Sequence, residues 1–229
     1  MGYLLEGIKQ AFELIVTLDK EVFTITLISL NISTIAIIFS SAAGMPLGFM
    51  IGVNTFKGKS TVITIFNTLM AFPTVVVGLI VYSMVSNKGL LGPLGLLFTP
   101  WAMIIGQFIL AVPIITALTI SATQNLDPRV RSTATVLGAN SFQSGIAIIL
   151  EARYAIIAAI VAGFGRIIGE VGASMMLGGN IRGYTRNIPT AIALETSKGE
   201  FSLGIALGFI LLTVALIINF LLRFLQNKH

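Results

Sequence analysis

Five stretches of this chain are long and apolar enough to cross a lipid bilayer, and polar intervals separate them. In chain order the stretches are 22–53, 61–86, 96–121, 146–177 and 201–222. A membrane-spanning helix needs about 20 mostly apolar residues, and four of the five stretches contain no charged residue. The pattern therefore predicts an all-α integral membrane protein with about five transmembrane helices.

The first 21 residues show a different pattern, in which apolar positions recur at helical spacing and charged positions fall between them. The apolar positions are Leu4, Leu5, Ile8, Ala11, Phe12 and Ile15. This pattern predicts an amphipathic helix in the membrane interface over 1–21, with a loosely ordered terminus as the alternative. We expect the segment to be retained, because it lacks the basic region and the small-residue cleavage site of a signal peptide.

Prolines and polar intervals subdivide the rest of the chain. Pro73 and Pro113 predict kinks in the second and third spans, because proline removes a backbone donor and crowds the preceding turn. The interval 122–145 contains Asp127 followed by a proline, which is a helix-start signal. It predicts one or two short helices outside the membrane. The interval 178–200 carries two arginines and indicates a long polar loop.

Composition excludes most enzyme chemistry. The chain is 55% hydrophobic and 10% charged, has no cysteine, and its single histidine is His229. These facts exclude thiolate chemistry and disulfides, and leave no histidine for an interior metal or nucleophile site. The chain also lacks the G-x-x-x-x-G-K-[ST] phosphate loop of nucleotide-binding proteins. We therefore expect a transport subunit rather than an enzyme, with no cofactor bound by this chain.

The distribution of the basic residues predicts an orientation. The net charge of +5 bears on membrane topology before nucleic-acid affinity, so we expect a lipid environment and no nucleic-acid partner. Outside 1–21, one side carries Lys57, Lys59, Arg129, Arg131, Arg153, Arg223 and Lys228. The other side carries Lys88, Arg182, Arg186 and Lys198. The first side is expected to be cytoplasmic, with the N-terminus outside and the C-terminus inside, although including Lys9 and Lys20 nearly erases the difference.

A membrane protein without catalytic groups most simply moves a solute. An ion-coupled secondary carrier usually contains internal repeats, and this chain has none. A membrane enzyme would cluster His, Asp or Glu at the interface, and this pattern is missing as well. A cluster of small residues, followed by Phe142, instead indicates a surface where a partner protein docks. The small residues are Thr133, Ala134, Thr135, Gly138 and Ala139.

The segment 132–151, STATVLGANSFQSGIAIILE, resembles the cytoplasmic EAA loop of ABC importer permeases, whose pattern is EAA, three residues, Gly, nine residues and I-x-L-P. The positions that match are Ala134, Gly138, Ile148 and Leu150. Those that depart from the pattern are Ser132, Thr133 and Glu151. The resemblance implies a type I ABC importer transmembrane domain over 22–225, with 122–145 as the loop that couples to an ATPase.

The resemblance also implies which residues contact that ATPase. They are Ser132, Thr133, Ala134, Leu137, Gly138, Ala139 and Phe142. For Gly138 the alternative is a plain turn between two helices. For Phe142 the alternative is an anchor in the membrane interface.

Two further segments resemble the oxyanion branch, the molybdate and tungstate permeases. They are FPTVVVG at 72–78 and GRIIGEVGASMMLGGN at 165–180. The next segment, 181–201, is closer to the tungstate members, and the whole resemblance covers 24–220. It implies import of tungstate by alternating access, with molybdate or sulfate as alternatives. The implied partners are a second copy of the chain, two cytoplasmic ATP-binding subunits and an extracytoplasmic oxyanion-binding protein.

Four charged residues are candidates for a role in transport. Arg166 and Glu170 are four positions apart, which places them on one face of a helix, and charges inside a span are paired or functional. They are predicted to form either a structural ion pair or part of the anion path. Arg182 and Arg186 lie in the external loop, where arginine suits a tetrahedral oxyanion or an acidic binding protein. Solvated loop charges are the alternative for these two.

Overall fold

The computed structural model describes residues 2–17, 19–127 and 129–226. Within these residues the chain forms ten α-helices, one turn of 3-10 helix at Gly92–Leu94 and no β-strand. The helices are α1 (Gly2–Val16), α2 (Lys20–Val53), α3 (Lys59–Met70), α4 (Thr74–Val85), α5 (Pro100–Gln124), α6 (Arg129–Val136), α7 (Ser141–Ile168), α8 (Gly172–Gly178), α9 (Ile188–Lys198) and α10 (Phe201–Gln226).

Five membrane spans can be assigned from helix length and apolarity. Helices α2, α5, α7 and α10 are each long and apolar enough to cross a bilayer. Helices α3 and α4 make a fifth span when the pair is counted as one, although the two are bent by 94°. The predicted all-α fold with about five spans is therefore confirmed.

The two predicted proline kinks have different outcomes. Pro73 is the N-cap of α4, with extended backbone angles (φ −63°, ψ 123°), so it lies at the sharp bend between α3 and α4 as expected. At Pro113 the helix α5 continues without interruption, and a kink within it stays a prediction. Neighbouring helices allow a transmembrane helix to contain a proline, and α5 packs against both α2 and α7.

The predicted bounds of the fourth span, 146–177, are wrong at both ends. Helix α7 begins earlier, at Ser141, because Asn140 and Gln143 form a reciprocal capping box that satisfies two backbone N–H groups. It ends at Ile168, where the chain leaves the helix for three residues before α8 begins. The membrane segment is therefore a long helix, a break and a short helix.

The predicted polar loop at 178–200 contains a helix, α9. Asn187 caps its start by accepting from the Thr190 N–H at 3.1 Å, and Pro189 lies in its first turn. The Ile188 N–H donates to the Ser29 hydroxyl at 2.6 Å, which ties the start of α9 to α2. Most of the residues in this first turn are buried, so the segment packs against the bundle instead of extending as a free loop.

Helices α2 and α5 pack side by side in the same direction through a row of glycines. The facing pairs are Gly44 with Ile115, Gly48 with Thr119 and Gly52 with Thr123. Residue numbers rise together along both helices, which makes the pair parallel. A Cβ atom at Gly48 would lie 2.6 Å from the Thr119 Cβ, a distance that carbon atoms cannot tolerate. Small residues thus allow a close approach of the two backbones.

The connections collect at two ends of the bundle, which we call the α6 end and the α9 end. At the α6 end, the Lys59 ammonium donates to the carbonyls of Gly52 and Asn54 and joins α2 to α3. At the α9 end, the Phe98 N–H donates to the Leu177 carbonyl at 2.9 Å. For the described residues, the two ends match the predicted division into two sides, with 122–145 at the α6 end and 178–200 at the α9 end. Lys228, which was assigned to the first side, lies outside the described residues.

The predicted amphipathic helix over 1–21 corresponds to α1, which ends at Val16. Helix α1 packs against α10, and Ala11 is fully buried in the structure. Phe12 and Val16 are exposed by 69% and 65%, which leaves apolar surface on the outer side of α1. Its position in the membrane interface stays a prediction, as does the division of the chain at residue 22.

Candidate coupling surface and charged sites

The segment between α5 and α7 folds as a short helix followed by a tight turn. Helix α6 starts where Asp127 accepts a hydrogen bond from the Arg129 N–H at 2.9 Å. It ends at Val136, and the turn that follows contains Gly138, whose φ of +88° lies in the left-handed region that glycine adopts without strain. The N–H groups of Gly138 and Ala139 donate to Thr135 and Ala134, both at 3.0 Å. This pattern is a Schellman motif, and it defines the orientation in which α7 begins.

Large apolar side chains are exposed at this turn, although it lies outside the membrane-spanning helices. Leu137 is 81% exposed and Phe142 is 76% exposed, and Val136, the last residue of α6, is 85% exposed. Contiguous apolar side chains on a polar surface mark interaction sites. The predicted set contained Leu137 and Phe142 but omitted Val136, whose place at the end of α6 could not be read from spacing alone. We call Val136, Leu137, Gly138 and Phe142 the coupling surface.

The remaining residues of the predicted coupling set lie on the same helix and turn. Ser132 and Thr133 are exposed on α6, and Ala134 and Ala139 are half-buried. The structure thus brings all seven predicted residues into α6, the turn after it and the first turn of α7, with the small side chains beside the large apolar ones. Their contact with a partner stays a prediction.

Arg166 and Glu170 form an ion pair, but they do not lie on one helix. Arg166 belongs to the last turn of α7, whereas Glu170 lies in the break between α7 and α8. The Arg166 guanidinium donates to Glu170 Oε2 at 3.1 Å, and the second oxygen of Glu170 accepts from the Ala173 N–H at 3.2 Å. Glu170 is buried, with only 3% of its surface exposed. It therefore connects the end of α7 to the start of α8.

A buried glutamine of α5 also binds the chain at this break, and no pattern in the sequence identified it. Gln107 of α5 is 1% exposed and donates from Nε2 to the Ile167 carbonyl at 3.2 Å. The same carbonyl also accepts from the Glu170 N–H at 3.2 Å, so Gln107 adds a second donor and ties the end of α7 to α5.

The break between α7 and α8 lies directly against the start of α4. A Cβ atom at Gly172 would lie 3.0 Å from Val75, and 3.4 Å from both the Thr74 hydroxyl and Glu170 Oε1. At Gly78, a Cβ would lie 3.0 Å from the Ala173 Cα. The break between α3 and α4 comes directly before the start of α4, and the break between α7 and α8 packs against that start. The two helix breaks therefore lie close together.

The two arginines between α8 and α9 are both bound to Glu21 at the start of α2. Arg182 lies 2.5 Å and Arg186 lies 3.4 Å from the Glu21 carboxylate. Arg186 also lies 3.9 Å from Glu195, which pairs with Lys198 at 2.9 Å. The alternative of solvated loop charges is wrong for Arg186, whose side chain is only 12% exposed. Arg182 is 71% exposed and retains donors that face solvent.

The described part of the chain offers no group of three or more His, Cys, Asp or Glu side chains that could hold a metal ion. The charged groups of the α9 end alternate in sign along one network of Glu21, Arg186, Glu195 and Lys198. Such a network ties the α9 segment to α2 and is typical of a structural connection.

Sequence comparison identifies the family. The family described as "Binding-protein-dependent transport system inner membrane component" matches residues 44–228. A tungstate uptake system permease protein TupB of Peptoclostridium acidaminophilum is 39% identical over 228 residues, which covers 100% of both chains. The TupB protein of Campylobacter jejuni is 41% identical and covers 99% of this chain and 95% of that one. A probable anion ABC transporter permease of Haloferax volcanii is 43% identical over 86% of this chain and 87% of its own.

Comparison with solved structures agrees with this assignment at the level of the fold. A bacterial ABC transporter that imports the acidic polysaccharide alginate has a TM-score of 0.75 at 19% identity, and covers 100% of this chain and 90% of that one. The MetNI methionine ABC transporter has a TM-score of 0.69 at 16% identity, and covers 91% and 94%. The relatives are named as transport permeases and not as enzymes. The chain therefore belongs to the binding-protein-dependent transport system inner membrane component family and is a multi-pass membrane permease of the ABC importer class, on its tungstate and molybdate branch.

Proposed function

We propose that this chain is the membrane-spanning subunit of an ATP-driven importer of tungstate. The observation that carries the proposal is similarity over the full length to two permeases named for tungstate uptake, at 39% and 41% identity. The molybdenum permease ModB of Escherichia coli is 28% identical, and its sulfate permease CysT is 24% identical. The ranking favours tungstate, with molybdate as the second candidate because the two anions share one branch.

Energy enters at the coupling surface in this proposal. The exposed Leu137 and Phe142 side chains suit insertion into a groove on an ATP-binding subunit, since buried aromatic and aliphatic anchors dominate protein interfaces. Each importer would hold two such ATPase subunits, one on each copy of the permease. The permease itself would bind no nucleotide.

Movement at the coupling surface would pass directly into α7. Phe142 belongs to the first turn of α7, whose 28 residues form a helix about 42 Å long at 1.5 Å per residue. The other end of this helix is the break that Glu170 and Gln107 stabilise. A displacement of the ATPases would therefore reach the two helix breaks at the start of α4. Alternating access requires two arrangements of rigid elements, and α2 and α5, joined by their glycine contacts, suit one rigid unit.

The proposed assembly contains a second copy of this chain and an extracytoplasmic binding protein. Only 22% of the residues in the most apolar window of α7, and 17% in that of α10, are buried within one chain. These faces are available for lipid and for the second copy. One neighbouring structure is an alginate transporter in complex with a periplasmic protein, which supports a binding protein at the end that faces outward. We place the α9 end outside and the α6 end in the cytoplasm, because more Lys and Arg residues lie on the α6 side.

We assign a structural role to Arg166 and Glu170 and not a role in anion binding. Both oxygens of Glu170 have a partner, one in Arg166 and one in the Ala173 N–H. A buried carboxylate would also repel a divalent anion. The pair therefore holds the break in one geometry. Arg182, with its exposed side chain, is the better candidate of the four for contact with the binding protein.

The test of this proposal is reconstitution of the complete transporter. The permease would be expressed with its ATPase and binding protein, purified, and inserted into liposomes. ATP hydrolysis and uptake would be measured with the binding protein loaded in turn with tungstate, molybdate and sulfate. We expect the ATPase to copurify with the permease, and tungstate to give the largest stimulation.

Three results would contradict parts of the proposal. Larger stimulation by molybdate would reassign the cargo while keeping the mechanism. Uptake that continues without ATP and responds to an ion gradient would favour a secondary carrier. Failure of any ATPase to copurify in mild detergent would remove the coupling assignment.

A further inference from the structure

A cleft of about 450 Å³ opens at the α6 end, where five helices converge. Its walls are the ends of α2 and α5, the start of α3, one side of α6, and Ile148 of α7. The volume falls within the range of about 300–1,000 Å³ that is typical of sites for small ligands. The proposed function assigns no role to this cleft.

Two cationic side chains line the cleft, and both have donors to offer. Within the part of the chain that the structure describes, the Arg131 guanidinium has no hydrogen-bond or ion-pair partner. The Lys59 ammonium donates to the carbonyls of Gly52 and Asn54 at 2.7 and 2.9 Å. Because an ammonium has three donors, one N–H of Lys59 remains for a ligand.

The charge of the cleft is positive. Asp127 is the one acid among the described residues of its lining, and one of its oxygens already accepts from the Arg129 N–H. Two cations against one anion leave a net positive charge. Lys57 and Arg129 flank the cleft in sequence and are exposed, so they add to the positive potential that would attract an anion.

The lining combines polar and apolar residues. Thr55 and Thr123 are among the polar ones, and Val53, Leu126, Val130 and Ile148 are the large apolar ones. The cleft also lies at the ends of membrane-spanning helices, which is the level of lipid headgroups. Basic pockets between helices on the cytoplasmic side are typical sites for anionic lipid headgroups.

We propose that this cleft binds a phosphate group, supplied either by the headgroup of an anionic phospholipid or by free inorganic phosphate. Arg131 would bind the phosphate oxygens through its planar fork of N–H donors, and Lys59 would contribute a single charge-assisted hydrogen bond. The cytoplasmic position of the cleft rests on the proposed function. Binding itself does not, since it requires neither an ATPase nor a cargo.

The bound phosphate would connect the coupling helix to the membrane domain. Arg131 belongs to α6, whereas Lys59 is the first residue of α3 and is bonded to the end of α2. A phosphate held by both side chains bridges α6 to the ends of the spans. Occupancy of the cleft would therefore stiffen α6, and anionic lipid would act as a structural component of the coupling element.

The experiment uses the full-length chain, purified without partner subunits, in phosphatidylcholine nanodiscs with or without phosphatidylglycerol. Bound lipid would be counted by native mass spectrometry. Thermal unfolding would be followed in both nanodiscs, and inorganic phosphate would be titrated into the phosphatidylcholine sample. The variants are Arg131→Gln and, as a matched control, Arg129→Gln, which removes the same charge from the same helix outside the cleft.

We expect the wild-type chain to be stabilised by phosphatidylglycerol or by phosphate, and the ligand that does so identifies the source. In Arg131→Gln the affinity should fall about tenfold, the effect of losing one hydrogen bond to a charged group, while Arg129→Gln, which removes only a more distant charge, should lower it much less. Stabilisation by neither probe overturns the proposal. An equal loss in the two variants also overturns it, since it would indicate general surface charge. Neither result bears on transport, which is tested separately.

Discussion

Glu170, in the break after α7, binds Arg166 in the last turn of α7 at 3.1 Å and is itself almost fully buried. This ion pair predicts the relative stability of variants in which one or both partners are replaced. Arg166→Gln leaves a buried carboxylate without its cation, which costs up to about 3–5 kcal/mol in a fully buried pair. Because the Arg166 side chain is 41% exposed, we expect about half of this loss. Arg166→Gln combined with Glu170→Gln should be more stable than the single variant, since the uncharged amide introduced by the second substitution can still accept from the Ala173 N–H.

The measurement is thermal unfolding of the purified permease, with Arg153→Gln as a control for loss of a positive charge outside the pair. If the single and double variants assemble equally well and neither transports tungstate, the structural assignment is wrong. The pair would then belong to the path of the anion.

The left-handed conformation of Gly138 makes a second prediction. Its φ is +88°, and no atom of the described residues lies within 4 Å of where its Cβ would be, so a substitution acts through backbone strain and not through collision. A β-branched residue is strongly disfavoured there, whereas asparagine tolerates this region. Gly138→Val should therefore distort the turn and lower the uptake per ATP hydrolysed, with insertion of the permease unchanged. Gly138→Asn should stay near wild type.

Uptake and ATP hydrolysis would be measured together in proteoliposomes that contain the ATPase. If Gly138→Val keeps the wild-type uptake per ATP hydrolysed, this turn does not transmit the motion of the ATPase to the permease. If Gly138→Val and Gly138→Asn lower the uptake per ATP hydrolysed equally, backbone strain is not the cause, and any side chain at this position interferes.

The sequence predicted the fold well where the signal was local. Uncharged stretches located the spans, and Pro73 located the bend between α3 and α4. The break after α7 was missed because hydropathy averages over about 20 residues, and three residues do not interrupt such an average. A carboxylate at position 170 within an apolar run was the available signal, and it was interpreted as part of a continuous helix.

Contacts between distant parts of the chain could not be predicted. Glu21 binds Arg182 and Arg186 although 161 and 165 positions separate them, and no local pattern encodes that pairing. The role of Gln107 could not be predicted either, because its partner is a backbone carbonyl, which carries no sequence signal. Helix α9 was hidden in a polar interval, although Asn187 followed closely by Pro189 is a helix-start signal.

The exposed side chains of the coupling surface provide a third prediction. Phe142→Ala should weaken copurification of the ATPase, because an aromatic anchor at an interface contributes at least about 2 kcal/mol, or a factor of about 30 in affinity. The stability of the permease alone should change little, since Phe142 is 76% exposed. Leu90→Ala is the matched control, because Leu90 is 89% exposed at the α9 end. Similar ATPase recovery for both variants would reject the docking assignment.

The parallel packing of α2 and α5 provides a fourth prediction. Gly48→Ala places a Cβ 2.6 Å from the Thr116 carbonyl oxygen, and both partners are backbone or branched side chains within helices. Overpacking of this kind costs about 1–3 kcal/mol. Gly208→Ala in α10 is the control, because no atom in the described ranges lies within 4 Å of the new methyl group and alanine has the higher helix propensity. We expect a lower unfolding temperature for the first variant and an equal or higher one for the second. Equal temperatures would show that α2 and α5 separate easily.

The proposed orientation is testable because the chain contains no cysteine. Single cysteines can therefore be introduced as probes without removing native ones. Val136→Cys marks the α6 end and Leu90→Cys marks the α9 end, and the native side chains are 85% and 89% exposed. With the permease expressed alone, a membrane-impermeant maleimide should label Leu90→Cys in intact cells and Val136→Cys only in inside-out vesicles. Labelling of both variants after denaturation controls for expression. Labelling of Val136→Cys from outside the cell would invert the orientation and place the coupling surface where no ATPase could reach it.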